Sequence, residues 1–200
     1  MENLATLSQI LNDYMWHGFV VFLRVAAVVA LLPGLGEQTV SVRIKLVVSL
    51  AFTVIIAPAV DLPPSTGSLG ELGGLILSET LAGALLGIGT RLFIMALQTA
   101  AAIAAQATSL SQLLGGAVAE PLAAMGYILT TGAIALAMIT GLHIKAATMI
   151  ILSYDVLPVG MPATGGQVAQ WGISQVGHAF QLAFVLAAPF VLVSILYNLA

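Results

Sequence analysis

The chain has no cysteine among its 200 residues. That excludes a disulfide framework, a thiolate metal site and a cysteine nucleophile, and it leaves the compartment open. Charge is almost as scarce: Asp, Glu, Lys and Arg make up 6% of the chain, as five basic and eight acidic side chains with a net charge of −3. An average soluble domain is about 25% charged, so a soluble fold of this length would be short of charge to cover its surface. Five cations cannot build a nucleic-acid face. The chain also lacks a nucleophile elbow, a Walker loop, a GxGxxG turn and a paired-carboxylate arrangement. Its histidines, His17, His143 and His178, show no i, i+4 pair of the kind that holds a metal on a helix, and a structural hydrogen bond is the favoured reading for each. Nothing here reads as an enzyme, and no cofactor is implied.

What is present is apolar surface. Hydrophobic residues make up 60% of the chain and the mean hydropathy is +1.11. The bilayer, or other apolar subunits, must act as solvent for much of it. Met1-Glu2-Asn3-Leu4 carries no basic region, which argues against a cleaved secretory signal. The apolar runs are long, rich in Ala, Leu and Met, and do not alternate with period two, so helices are expected rather than barrel strands. The fold class is therefore all-α: an integral membrane protein of long helices and helical hairpins, in one membrane domain over residues 1–200.

The punctuation divides the chain into five segments. Segment one runs from about Tyr14 to Leu32 and is broken by Pro33-Gly34. Segment two runs from about Val42 to Ala57, before Pro58 and the loop from Asp61 to Gly67. Segment three, Leu69 to about Gln106, has no proline and would exceed ~50 Å as a straight helix, about twice a hydrocarbon core. It is expected to break, to tilt strongly or to leave the bilayer. Thr108 to Pro121 reads as a loop. Segment four, about Leu122 to Tyr154, stops before Pro158, and Met161 to Gln170 reads as a linker. Segment five runs from about Gly172 onward, with Pro189 as a kink.

The charges sit in the wrong places for an ordinary multi-span protein. Lys and Arg usually gather in cytoplasmic loops, yet Arg24, Arg91 and Lys145 lie inside apolar segments, as does Glu79. A charge at mid-bilayer costs roughly 2.5–3.5 kcal/mol on insertion scales. These residues either line a polar cavity, pair inside an assembly, or snorkel to a headgroup layer. Gly83-Ala84-Leu85-Leu86-Gly87 is a GxxxG sequence, which is either a helix-packing face or a coincidence of a glycine-rich chain.

Taken in order, these features resemble the FliR family, export-gate subunits of the flagellar type III secretion apparatus with relatives in injectisomes. Arg24, Leu32-Pro33-Gly34, Arg43 and the run closing in Ala57-Pro58 are similar to the family's opening. Glu79-Thr80-Leu81-Ala82-Gly83 with Gly87 resembles its acidic, glycine-containing third segment. Gln106, the Ser/Gly loop and Glu120-Pro121 resemble the segment that the family uses at its pore. Gly141-Leu142-His143 and the run Ser153 to Gly160 are the most specific match. The pattern departs at Ala107, where glycine is common, and at Glu120, where Asp is common. Relatives also continue past the position matching Ala200 with a further helical region.

The resemblance implies a structural, pore-forming subunit that passes unfolded flagellar proteins across the bacterial inner membrane at the flagellar basal body. It implies FliP-like and FliQ-like partner subunits, other export-apparatus membrane proteins, surrounding lipid and no nucleic acid. It also implies a pore plug, for which the candidates are Ser109, Leu110, Leu113, Leu114, Gly115, Gly116, Ala117, Val118, Glu120 and Pro121. Glycine reaches conformations closed to other residues, the apolar side chains fit a narrow constriction, and proline stiffens the exit. Arg24, Glu79, Arg91 and Lys145 are candidate buried charges for assembly, and Gly83 and Gly87 candidate packing positions. The competing reading is a secondary transporter or ion channel in which Arg24, Glu79, Arg91 and Lys145 line a path.

Overall fold

A computed structural model describes residues 2–61, 69–109 and 121–199. Its elements are α1 (Glu2–Leu31), α2 (Val42–Ile56), a short 3-10 helix (Ala57–Ala59), α3 (Leu69–Ser109), α4 (Pro121–Ile139), α5 (Leu142–Val156) and α6 (Gly165–Leu199). There is no strand among the described residues. Among the described residues four helices are long and apolar enough to cross a membrane, or five spans if α4 and α5 count as one broken span. Large apolar side chains are exposed along every one of the six helices, among them Leu11, Val54, Leu77, Tyr127, Leu152 and Phe184. The protein is an all-α membrane protein.

Local chemistry explains where the helices stop. α1 ends at Leu31 because Pro33 has no N–H to continue it. The Leu35 N–H donates to the Leu32 carbonyl at 3.2 Å across Pro33 and Gly34, with Gly34 at φ 83°, the type II arrangement that needs a glycine in third position. α2 passes into the 3-10 helix at Pro58, which sits in its first turn. α5 ends at Val156, and the next turn closes with Met161 N–H to the Pro158 carbonyl at 3.1 Å, with Gly160 at φ 73°.

Several boundaries differ from the sequence expectation. α1 starts at Glu2, because the more polar residues ahead of Tyr14 continue the same helix. Segment three does not break: α3 is one helix of 41 residues, about 60 Å long. Its glycines cost helix propensity without interrupting the hydrogen-bond ladder. Segment four does break, at Thr140-Gly141, where Gly141 takes φ 82° and starts α5 from a left-handed conformation. α6 begins at Gly165, inside the expected linker, and continues through Pro189.

The chain forms two compact units, Met1–Ile88 with Gly141–Gly165, and Gly89–Thr140 with Gly166–Ala200. In the first, Val21, Val25, Val28 and Val29 make one face of α1 and pack, together with Leu32 just beyond it, with Ile56, Val60, Ala146 and Ile150. α1 and α2 form an antiparallel hairpin whose levels are fixed by His17, whose Nε2 donates to the Ala57 carbonyl at 2.8 Å. At the turn end, the Lys45 ammonium donates to the Gly36 carbonyl at 3.1 Å. In the second unit, Ala96 and Ala100 of α3 pack on Ala183 and Ala187 of α6. Gly89 faces Trp171 and the Ser194 hydroxyl donates to the Ala107 carbonyl at 2.5 Å, so these two stretches run parallel.

Candidate functional site

The first unit is organised around Arg24. Its side chain has 0% exposure and so has that of Glu79. Arg24 Nε donates to Glu79 Oε2 at 2.9 Å, Nη1 to Ser153 Oγ at 3.0 Å and Nη2 to the Leu157 carbonyl at 2.8 Å. The Tyr154 ring lies under the guanidinium, 3.7 Å from its carbon to the ring centroid. Glu79 Oε1 accepts the Gly160 N–H at 3.1 Å. The Ser153 hydroxyl donates a hydrogen bond to the Ile150 carbonyl at 2.6 Å, which leaves its oxygen lone pairs to accept from Arg24. A flat fork of donors fills this arrangement where a lysine, as a point charge, could not.

Each element delivers its group for a local reason. Gly83 lies one turn beyond Glu79 on α3, and a Cβ there would overlap the Arg24 carbonyl oxygen and the Ala27 Cβ. At Gly87 a Cβ would stand 2.6 Å from the Leu31 Cβ. These glycines let α3 lie backbone to backbone on α1, parallel to it, and so bring Glu79 within reach of Arg24. α5 ends just in time to release the Leu157 carbonyl, whose residue has left helical geometry at φ −123°, ψ 81°. The positive φ of Gly160 turns its N–H onto the carboxylate.

The two charges cancel, and they are held in apolar surroundings where removing either partner strands the other. The Tyr154 hydroxyl is buried and has no hydrogen-bond partner among the described residues. No group of three His, Cys, Asp or Glu among the described residues could hold a metal ion.

The other candidates lie elsewhere. Of the four charges considered for burial in an assembly, Arg24 and Glu79 are buried within the chain itself, while Arg91 on α3 and Lys145 on α5 are exposed on it. Position within an apolar run does not say which side of the helix a residue takes: α5 buries the stripe Ala146, Ile150 and Ser153, and Lys145 falls beside it. His143 is exposed too. Of the plug candidates, Ser109 is the last residue of α3 and Pro121 the first of α4. Leu110, Leu113, Leu114, Gly115, Gly116, Ala117, Val118 and Glu120 lie outside the described residues. Ser153, Tyr154, Leu157 and Gly160 were not read as site residues, although they stand in the run that carried the strongest resemblance. The signal was there, but a hydroxyl, a carbonyl and an amide announce no chemistry until a charge is placed against them.

Two comparisons bear on what this arrangement belongs to. Residues 15–200 match the model of the family "Bacterial export proteins, family 1". The chain is also 34% identical over 184 residues to the flagellar biosynthetic protein FliR of Caulobacter vibrioides, an alignment that covers 90% of this chain and 73% of that protein.

Proposed function

The chain belongs to family 1 of the bacterial export proteins, and from that membership we propose that it is a structural, pore-forming subunit of a flagellar type III protein export gate. It sits in the inner membrane at the flagellar basal body and passes unfolded flagellar proteins during flagellum assembly. Its partners are FliP-like and FliQ-like subunits and other membrane proteins of the export apparatus. It carries out no chemistry.

The observation that carries this reading is the closed Arg24–Glu79 pair. A transporter or channel would set its intramembrane charges along a path, but these two have 0% exposure and neutralise each other. They serve the fold and leave the exposed apolar faces of the helices to meet lipid and other subunits. Residues 109–121 supply the plug in this reading. Leu113, Leu114, Ala117 and Val118 close the opening without holding an ion, and Gly115-Gly116 allows the segment to move aside.

Expression with tagged FliP-like and FliQ-like subunits, followed by detergent purification and mass spectrometry, tests the proposal. The expected result is a stable complex containing all three, while the chain alone aggregates or is degraded. A monodisperse, heat-stable monomer that ignores those subunits would overturn it.

A further inference from the structure

The chain passes between its two units three times, at Ile88–Gly89, at Thr140–Gly141 and at Gly165–Gly166. Glycine accounts for 20 of the 200 residues, yet it stands at every one of these crossings. Packing does not call for it at two of the three. A Cβ at Gly165 or Gly166 would have nothing within 4 Å, and one at Gly141 would meet only the Ile144 Cδ1 at 3.6 Å, an ordinary contact. At Thr140–Gly141 the helix breaks, with Gly141 at φ 82°. Gly165 and Gly166 follow four residues, 161–164, that have no regular structure. Neither crossing is a stiff connection. The first crossing differs, because α3 runs through it as one unbroken helix.

α3 changes neighbours at that crossing. Its first half is tied to α1, through Glu79 on Arg24 and through Gly83 and Gly87 against the Arg24 carbonyl and Leu31. Two residues later Gly89 lies against α6, where a Cβ would stand 3.3 Å from the Trp171 Cζ2, and Ala96 and Ala100 continue on α6. Ile88, between the two glycines, is exposed. Each glycine costs about 0.8–1 kcal/mol of helix propensity relative to alanine, and neither brings a side chain to brace the turn. Small residues are where helices bend and where hinges absorb backbone change. We infer that Gly89, with Gly87 beside it, is a flexure point of α3 on which the second unit swings relative to the first, the other two crossings being slack enough to follow. Ser109 and Pro121, the ends of the proposed plug, both belong to the second unit. A bend of ~10° at Gly89 carries Ser109, about 30 Å further along the helix, through about 5 Å. The Arg24 cluster keeps the first unit closed while this happens.

The flexure is a property of this chain, and only its link to export rests on the proposed function. The absence of cysteine lets spin labels be placed in pairs. Leu77→Cys with Ser174→Cys spans the two units, and Leu77→Cys with Leu152→Cys stays within the first, all at exposed positions. Gly89→Ala stiffens α3, and Gly73→Ala is its control, since a Cβ at position 73 meets nothing within 4 Å. Alanine at position 89 also pushes on the Trp171 ring, so Trp171→Phe is made alone and together with Gly89→Ala to separate packing from stiffening. In the complex with its partner subunits, double electron–electron resonance should give a narrow distance distribution within the first unit and a broad or two-peaked one across the units. Gly89→Ala, with or without Trp171→Phe, should narrow the latter, and Gly73→Ala and Trp171→Phe alone should not. An across-unit distribution as narrow as the within-unit one, or a broad one that Gly89→Ala leaves unchanged, overturns the flexure. Secretion of flagellar proteins into the medium should fall several-fold in the Gly89→Ala, Trp171→Phe variant with assembly intact. A narrowed distribution with normal secretion overturns the link to export and leaves the flexure standing.

Discussion

Arg24 and Glu79 are 55 residues apart in the chain and 2.9 Å apart in the fold. Breaking a buried pair from one side costs about 3–5 kcal/mol, whereas replacing both partners by apolar residues is often neutral. Glu79→Ala and Arg24→Ala should therefore each lower the unfolding temperature of the purified complex and the amount of chain in membranes. The double variant Arg24→Met, Glu79→Leu should recover most of the loss. Additive losses in the double variant would show that the two residues act separately.

Gly83→Ala and Gly73→Ala make a matched pair on one helix. A Cβ at position 83 meets the Arg24 backbone and Ala27, while nothing lies within 4 Å of one at position 73. Alanine in an open helical site stabilises by roughly 0.5–1 kcal/mol, so Gly73→Ala should leave the complex as stable as before or more so. Gly83→Ala should destabilise it, because backbone cannot move aside as a side chain can. Thermal unfolding of both variants checks the contrast, and equal behaviour would count against the close approach.

Gly160 holds φ 73° and donates to Glu79. A residue with a Cβ in that region costs on the order of 1–2 kcal/mol, less for Asn, which tolerates it. The expected order of stability is Gly, then Asn, then Ala and Val, read from thermal unfolding of the three variants beside the parent. A Val variant as stable as the parent would remove the turn from the cluster.

Tyr154→Phe removes a buried hydroxyl without a described partner and keeps the ring under Arg24. It should be neutral or slightly stabilising, since an unsatisfied buried polar group costs about 1–3 kcal/mol. Tyr154→Leu loses the cation–π contact and should destabilise. A large loss in the Phe variant would mean that the hydroxyl has a partner in the assembled complex.

Deleting Leu113–Val118 addresses the plug. Co-purification should show intact assembly, and cells making the complex should become leaky to small ions, read as a fall in membrane potential. Full assembly with normal ion tightness would leave residues 110–120 as an ordinary connection.

Much of this architecture can be read from residue order. Pro33-Gly34, Pro58 and Pro158 stop helices where their missing N–H groups require it, and the all-α membrane class follows from apolar run length. The break at Gly141 was not legible, because glycine is equally at home inside a membrane helix, as α3 shows with Gly83, Gly87 and Gly89. The choice of partner for Glu79 was half legible. Spacing excludes Arg91 on the same helix, but only packing selects Arg24 over Lys145. The remaining members of the cluster, a hydroxyl, a carbonyl and an amide, come from one stretch of α5 and its exit turn and depend on a fold that no local pattern specifies.

Arg24 also imposes an order on events during synthesis. Its carboxylate partner lies 55 residues downstream, and its contacts at Ser153 and Leu157 lie 129 and 133 residues downstream. At 5–20 residues per second, Glu79 emerges roughly 3–11 s after Arg24. Through that interval α1 carries a bare guanidinium that lipid disfavours. The nascent hairpin must wait in a polar or protein-lined compartment until α3 arrives, and the first unit closes only after Gly160 has been made. The second unit is begun before the first is finished, so whatever shelters the young chain has to hold both.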